Sequence, residues 1–250
     1  MTTRVKSADE IAAIRVSGQM LATVLKAVTA AIRPGMSTMD LSKLADKELK
    51  KLGGKPAFLG YQGFPESLCV SVNEEVIHGI PRQDHIIKDG DIVSCDFGVN
   101  YKGMITDAAV SVIVGQPREA KDLELINVTK KAIQKGIETV KGGAAIGDIG
   151  AAVQRVLEGS NFGIVREFVG HGVGHEIHEE PGIPNIGQKG SGFVLQPGMT
   201  IAIEPMATIG QPHVYIDDDG WTVKTRDGSR AAHFEHTVLV TEDGFEILTA

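Results

Sequence analysis

The chain has 250 residues, two cysteines and a net charge of −7, with 42% of its residues hydrophobic. That length supports a sizeable core in one large domain or two packed halves, and two cysteines without CxxC spacing exclude a disulfide framework and a thiolate zinc site. The basic residues are scattered, the first seven residues hold no apolar run, and no uninterrupted apolar stretch reaches about 18 residues; the expectation is a soluble cytoplasmic chain with no nucleic-acid or membrane partner.

Ser7-Ala8-Asp9-Glu10 has the form of a capping box, and Ile11, Ile14, Met20, Leu21 and Leu25 follow near helical spacing, so a first helix runs to Arg33-Pro34-Gly35. Ser37-Thr38-Met39-Asp40 opens a second helix, which directs Leu41, Leu44 and Leu49 inward and stops at Gly53-Gly54. Strands and turns continue to about Gly115. The order then repeats, with helices over Glu119 to Val140 and about Asp148 to Leu157, then strands to the C-terminus.

The repeat also holds in register. Gly35 precedes Asp96 by 61 positions and Gly143 precedes Glu204 by the same 61, while Gly90-Asp91-Ile92-Val93-Ser94-Cys95-Asp96 aligns with Gly198-Met199-Thr200-Ile201-Ala202-Ile203-Glu204. Each half ends an apolar strand on a carboxylate. Two helix-helix-sheet units about a pseudo-two-fold, an α+β arrangement, would bring carboxylates from both halves to one point. With no linker or low-complexity run between them, residues 1–116 and 117–250 are expected to form one catalytic domain.

Asp96, Asp107, His171, Glu204 and Glu235 each interrupt apolar or glycine-rich sequence, where an ionised group needs a partner or a metal. Four carboxylates balance two divalent cations. Asp96 and Asp107 fall on the two arms of a hairpin that turns through Asn100-Tyr101-Lys102-Gly103, with both acids on one face as cross-strand neighbours. His171, His175 and His178 crowd one segment, but an H-E-x-x-H helix fails there: the second histidine would have to be residue 179, a glutamate, and Gly172, Gly174 and Pro181 oppose a helix. His233 and His236 flank Glu235 and are expected on the opposite face from it. Asp217-Asp218-Asp219-Gly220 reads as a hairpin turn, since no EF-hand spacing follows.

Taken together, Val76-Ile77-His78-Gly79-Ile80-Pro81, Asp96 with Asp107, Gly170-His171-Gly172-Val173-Gly174, His178-Glu179-Glu180-Pro181, Ile203-Glu204-Pro205 and Phe234-Glu235-His236-Thr237 resemble the type I methionine aminopeptidases, in order and from near residue 7 to the C-terminus. The resemblance implies the pita-bread fold, in which two αα-and-sheet halves are related by a pseudo-two-fold. It implies that Asp96, Asp107, His171, Glu204 and Glu235 hold two divalent ions, with Asp107 and Glu235 bridging them. An oxygen-rich set with one imidazole suits Mn²⁺, Fe²⁺ or Co²⁺, and Zn²⁺ remains open. Two such ions present a shared hydroxide to the scissile carbonyl.

By the same resemblance His178 stabilises the oxyanion, His78 contacts the peptide nitrogen of the second residue, and Glu204 also relays a proton to the leaving amine. Phe58, Tyr61, Phe64, Cys69, Ile177 and Trp221 correspond to an apolar pocket for the methionine side chain. The implied activity is removal of the initiator methionine from nascent chains and peptides whose second residue is small; contact with the ribosome is left open and a monomer suffices. His175 receives no role beyond that of a loop histidine. A proline-directed aminopeptidase of the same fold, usually with an added N-terminal domain, and a non-catalytic peptide binder lacking the ligands are the alternatives.

Overall fold

Serine and acid caps start the first two helices. In the computed structural model, which describes residues 5–250, Ser7 caps helix α1 (Ala8–Ala31) and Ser37 caps helix α2 (Thr38–Leu52), each in a reciprocal pair with the acid three positions on, Glu10 or Asp40. Residues 1–4, part of the N-terminal segment considered above, lie outside the described residues. Gly53 closes α2 in the left-handed conformation, φ 81°, which glycine adopts without a Cβ clash. Helices α3 (Ala120–Ile137) and α4 (Ile146–Glu158) repeat the device in part: Asp122 and Asp148 accept from the backbone N–H of Glu119 and Ala145. The third helix stops at Ile137, three residues short of the expected Val140, because the chain tightens there into a turn in which the Val140 N–H donates to the Ile137 carbonyl.

The duplication seen in the spacing extends to the hydrogen bonds. Gly35 donates to the Ile87 carbonyl and Gly143 to that of Leu195, while Ser37 bridges Ile86 as Ala145 bridges Val194. Every partner in the second half sits 108 positions beyond its counterpart in the first. Each helix pair covers the strands of its own half. Leu21, Val24 and Val28 of α1 with Leu41 and Leu49 of α2 pack on Val70, Val93, Cys95 and Phe97, and α3 and α4 place Ile133, Ile137 and Ile149 on Ile201, Ile203 and Val238. Helix α1 has 24 residues, and an 18-residue window within it with a mean hydropathy of 1.4 is long and apolar enough by length and composition to cross a bilayer, although Arg15 and Lys26 interrupt its apolar run. Its apolar face is buried against the hairpin instead, where Ser17 donates to the Val99 carbonyl at 2.8 Å.

The helices lie outside and antiparallel strands form the interior. One sheet is centred on the hairpin Ile92–Tyr101 and Met104–Ile113, and a five-stranded sheet runs, in spatial order, through Glu179–Ile183, Gly170–Gly172, Thr200–Ile203, His236–Val240 and Phe245–Ile247. The hairpin turn is tighter than expected: Lys102 and Gly103 alone connect the arms, both with positive φ, a two-residue turn matched to the twist of the strands. The two halves are joined between Asp107–Ala109 and Glu235–Thr237. Glu235 N–H donates to the Ala109 carbonyl at 2.9 Å, Ala109 N–H returns to the Glu235 carbonyl, and Thr237 Oγ1 accepts from Asp107 N–H and donates to its carbonyl. One acid from each half is thus fixed by the seam itself.

Candidate metal centre and active site

The residue pattern on the strands delivers the acids to the interior. Asp96 pairs with Ala109 across the hairpin and Gly98 with Asp107, so the two aspartates share a face but stand diagonally, two register positions apart, rather than directly opposite as expected. The offset separates two like charges. His171 stands between Gly170 and Gly172 for a steric reason: a Cβ on Gly170 would lie 2.3 Å from the Ala202 carbonyl oxygen, and one on Gly172 would lie 2.4 Å from that of Glu180. Neighbouring strands thus close tightly around the imidazole. Glu204 follows strand Thr200–Ile203, with its carbonyl held by Asn185 Nδ2 at 3.1 Å.

His171, Asp96, Asp107, Glu204 and Glu235, none more than 9% exposed, converge on one cavity. The Nδ1–H of His171 donates to the Gly172 carbonyl at 2.9 Å, which leaves Nε2 with its lone pair 3.8 Å from Glu204 Oε1 and 3.9 Å from Glu235 Oε1. Asp96 Oδ1, Asp107 Oδ1 and Glu235 Oε1 are buried with no hydrogen-bond donor among the described residues. Such atoms are costly to bury unless a cation compensates them. Burial pushes Asp96 up to about 6 and raises Asp107 and Glu235 well above the carboxylate range, with the neighbouring acids adding to the rise in the last two. Glu204 is buried too, yet His233 and His171 beside it hold it below its ordinary value. Two triads share Glu235: Asp107, His171 and Glu235 form one, and Glu204, His233 and Glu235 the other, each with ligand atoms within 4.8 Å of one another. A concentrated, donor-starved set of carboxylates and imidazoles fits divalent cations.

His233 corrects the sequence reading. It was expected on the face opposite Glu235, yet residues two apart on a strand share a face, and its fully buried ring turns toward Glu204, with Nε2 3.3 Å from Oε2. His236 does turn away, to Thr249 Oγ1 at 3.0 Å. His175 is a loop histidine that ties α1 to the His171 loop, since its Nε2 meets Glu10 Oε1 at 2.6 Å and its backbone N–H donates to Glu179.

The remaining cavity wall is aromatic and apolar. Phe58, Tyr61, Phe64, Cys69, Ile177 and Trp221, with His78 and His178, line the same cavity as the buried acids and His171, about 150 Å³ in all. Phe64 and Trp221 meet edge to face at 5.2 Å, and the ring of His178 stands 4.4 Å from that of His171. Tyr61 Oη lies 2.9 Å from His178 Nδ1. Desolvation first, with neighbouring imidazoles adding to it, lowers His78 and His178 to about 4, so both are neutral at pH 7. Burial raises the Cys69 thiol, which makes it an apolar wall rather than a nucleophile. Every residue selected from the sequence reaches this cavity. Gln62, which also lines it with φ at 49°, carried no signal in the sequence apart from lying between Tyr61 and Gly63.

Residues 12–242 match the model of metallopeptidase family M24. The chain belongs to that family. Among M24 relatives, the methionine aminopeptidase of Aquifex aeolicus is 45% identical over 100% of this chain and 99% of its own, and methionine aminopeptidase 1 of Bacillus subtilis is 43% identical over 98% of each. The crystal structure of methionine aminopeptidase from Thermotoga maritima superposes with a TM-score of 0.97 at 47% identity, covering 99% of both chains. The prolidase of Pyrococcus furiosus shares the architecture at TM-score 0.80 and 25% identity, but only 65% of that chain is covered. The helix-covered antiparallel sheets are therefore the pita-bread fold of M24, and the buried acids and imidazoles belong to a metallopeptidase.

Proposed function

We propose that this M24 chain is a methionyl aminopeptidase that removes the N-terminal, initiator methionine from nascent proteins and peptides when the second residue is small. The observation that carries the reading is a single cavity with two unlike walls: uncompensated carboxylates on one side, and on the other a slot lined by aromatic and apolar side chains. Aromatic rings and the Cys69 sulfur suit an unbranched, polarisable thioether. Near-complete coverage of the methionine aminopeptidases, against 65% of the prolidase, supports this substrate over an Xaa-Pro dipeptide.

Asp96, Asp107, His171, Glu204 and Glu235 would hold two divalent ions, with Asp107 and Glu235 shared between them. Mn²⁺, Fe²⁺, Co²⁺ and Zn²⁺ all suit such oxygen and imidazole donors. When bound, the ions polarise the scissile carbonyl and lower the pKa of water. The protein then orients the peptide. Tyr61 Oη lies 2.9 Å from Nδ1 of His178, and with the Tyr61 O–H as donor the ring proton would sit on Nε2, from where it would donate to the carbonyl oxygen as negative charge develops there. His78 contacts the peptide nitrogen of the second residue. Glu204 carries a proton to the departing amine. The partners are N-terminal methionyl peptides and nascent chains, with the ribosome as one meeting place, and the chain works as a cytoplasmic monomer and a single catalytic domain.

The test is release of the first residue from Met-Ala-Ser and Met-Pro peptides against Ala-Pro controls across a panel of divalent ions, with metal content measured on the same samples. Methionine release with two ions per chain is expected. Release from Ala-Pro with Met-Ala-Ser untouched would transfer the chain to the proline-directed class, and absence of hydrolysis with every ion would overturn the reading.

A further inference from the structure

We propose that His233 is a positioning residue for Glu204: it donates from Nε2 to Oε2, and so reserves Oε1 for the cation beside His171. This rests on the metal-site reading above and adds a residue that its five ligands do not include.

The backbone of His233 is locked to the hairpin that carries both aspartates. Its N–H donates to Ser111 Oγ at 2.8 Å, and Ser111 Oγ lies 2.7 Å from both the His233 carbonyl and Ser94 Oγ. These two buried serines lie on the strands that bear Asp96 and Asp107. The ring is thus placed in register with the acid pair by a hydrogen-bonded chain through the sheet. Its side chain is 1% exposed, neither ring nitrogen is in a satisfied hydrogen bond among the described residues, and Nε2 stands 3.3 Å from Glu204 Oε2, off the line a strong bond needs.

The tautomer follows from what each nitrogen can reach. A neutral imidazole carries one N–H, and a buried N–H without an acceptor is the rarer and costlier defect. Nδ1 has no hydrogen-bond partner among the described residues, so the proton belongs on Nε2, where a carboxylate oxygen waits. If His233 were instead a direct ligand through Nε2, the proton would be forced onto Nδ1 and buried with no acceptor. Glu204 completes the division of labour. Its carbonyl is held by Asn185, its Oε2 faces His233 and its Oε1 faces His171 Nε2 at 3.8 Å, so each oxygen has a separate neighbour.

The experiment compares wild type, H233A and H233Q, the last of which keeps a side-chain N–H donor. Metal-free proteins are titrated with Co²⁺ by calorimetry, the imidazoles bound to cobalt are counted by X-ray absorption, and kcat and KM for Met-Ala-Ser are measured at saturating Co²⁺. H233A is expected to lose about 10- to 100-fold in Co²⁺ affinity, the usual effect of removing a hydrogen-bond partner of a ligand. H233Q is expected to recover most of that loss and to show the same imidazole count as wild type, with KM unchanged throughout. Wild-type affinity in H233A, or a loss in H233Q equal to that in H233A, would overturn the inference. So would an imidazole count lower by one in H233Q, which makes His233 a ligand. If metal-free H233A does not melt as a folded protein, H233M fills the space without a donor and takes its place. A wild-type chain that binds no cobalt removes the functional reading as well, whereas normal binding unaffected by the substitutions removes this inference alone.

Discussion

His178 illustrates how the environment of one residue sets its chemistry. Lowered to about 4 and held by Tyr61, it is a neutral donor across the working pH range, and His178→Ala should reduce kcat by about 10²-fold or more through lost oxyanion stabilisation. Unchanged kcat with a raised KM would make it a binding residue instead. For the bridging positions, Asp107→Ala or Glu235→Ala should abolish hydrolysis even at saturating cation, because each removes a buried charge that both ions share in this reading; near-normal kcat in either variant would contradict that role. The acids also predict a pH dependence. Burial pushes Asp96 up to about 6 in the metal-free fold and raises Asp107 and Glu235 well above the carboxylate range, so the native state keeps protons that the unfolded chain has released. Their contribution to the metal-free fold is therefore present at low pH and lost as pH rises through about 6 and above. A binding cation must displace the same protons. Affinity should climb with pH from about 5 to 7, with proton release visible as a buffer-dependent calorimetric enthalpy; a flat profile would show that the acids are already ionised. His236, lowered to about 4, works in the opposite sense on stability, since its contribution is lost as pH falls from 6.5 toward 4, which makes cation affinity the cleaner readout.

Among the elements, helix starts and stops were legible because caps are local. Ser7 with Glu10, Ser37 with Asp40, and Gly53 mark helix ends through contacts no more than four residues away. The hairpin was legible as a hairpin but not in register: alternation places Asp96 and Asp107 on one face, whereas the two-residue turn at Lys102-Gly103 decides that they stand diagonally. Gly18, in the middle of a 24-residue helix, costs about 1 kcal/mol in helix propensity and is retained for a contact remote in sequence. A Cβ there would fall 2.1 Å from the Leu248 carbonyl oxygen. Gly18→Ala should therefore destabilise the fold by about 1–3 kcal/mol despite the better helix former, lowering Tm by about 2–4 °C for each kcal/mol. The adjacent exposed Gln19→Ala should leave Tm nearly unchanged, and equal melting of the two variants would refute the contact.

For the whole molecule, the 61-residue spacing exposed the duplication, and the hydrogen bonds displaced by 108 positions show that it reaches the backbone. The seam between Asp107–Ala109 and Glu235–Thr237 makes each half dependent on the other. Residues 1–116 and 117–250 expressed separately should fail to fold, and the full chain should unfold in one transition by both circular dichroism and Trp221 fluorescence; an independently folded half would show two domains rather than one. The sequence by itself determined the order of elements, the caps and the residue types available to the centre, because periodicity, capping and the expense of an unpaired acid act over short stretches of chain. Tertiary structure alone decided that Asp96 and Asp107 are staggered, that Nε2 of His171 is the free nitrogen, and that His233 turns to Glu204. Those outcomes depend on strand register and on hydrogen bonds between residues far apart in the chain, such as Ser111 and His233, which no local pattern encodes.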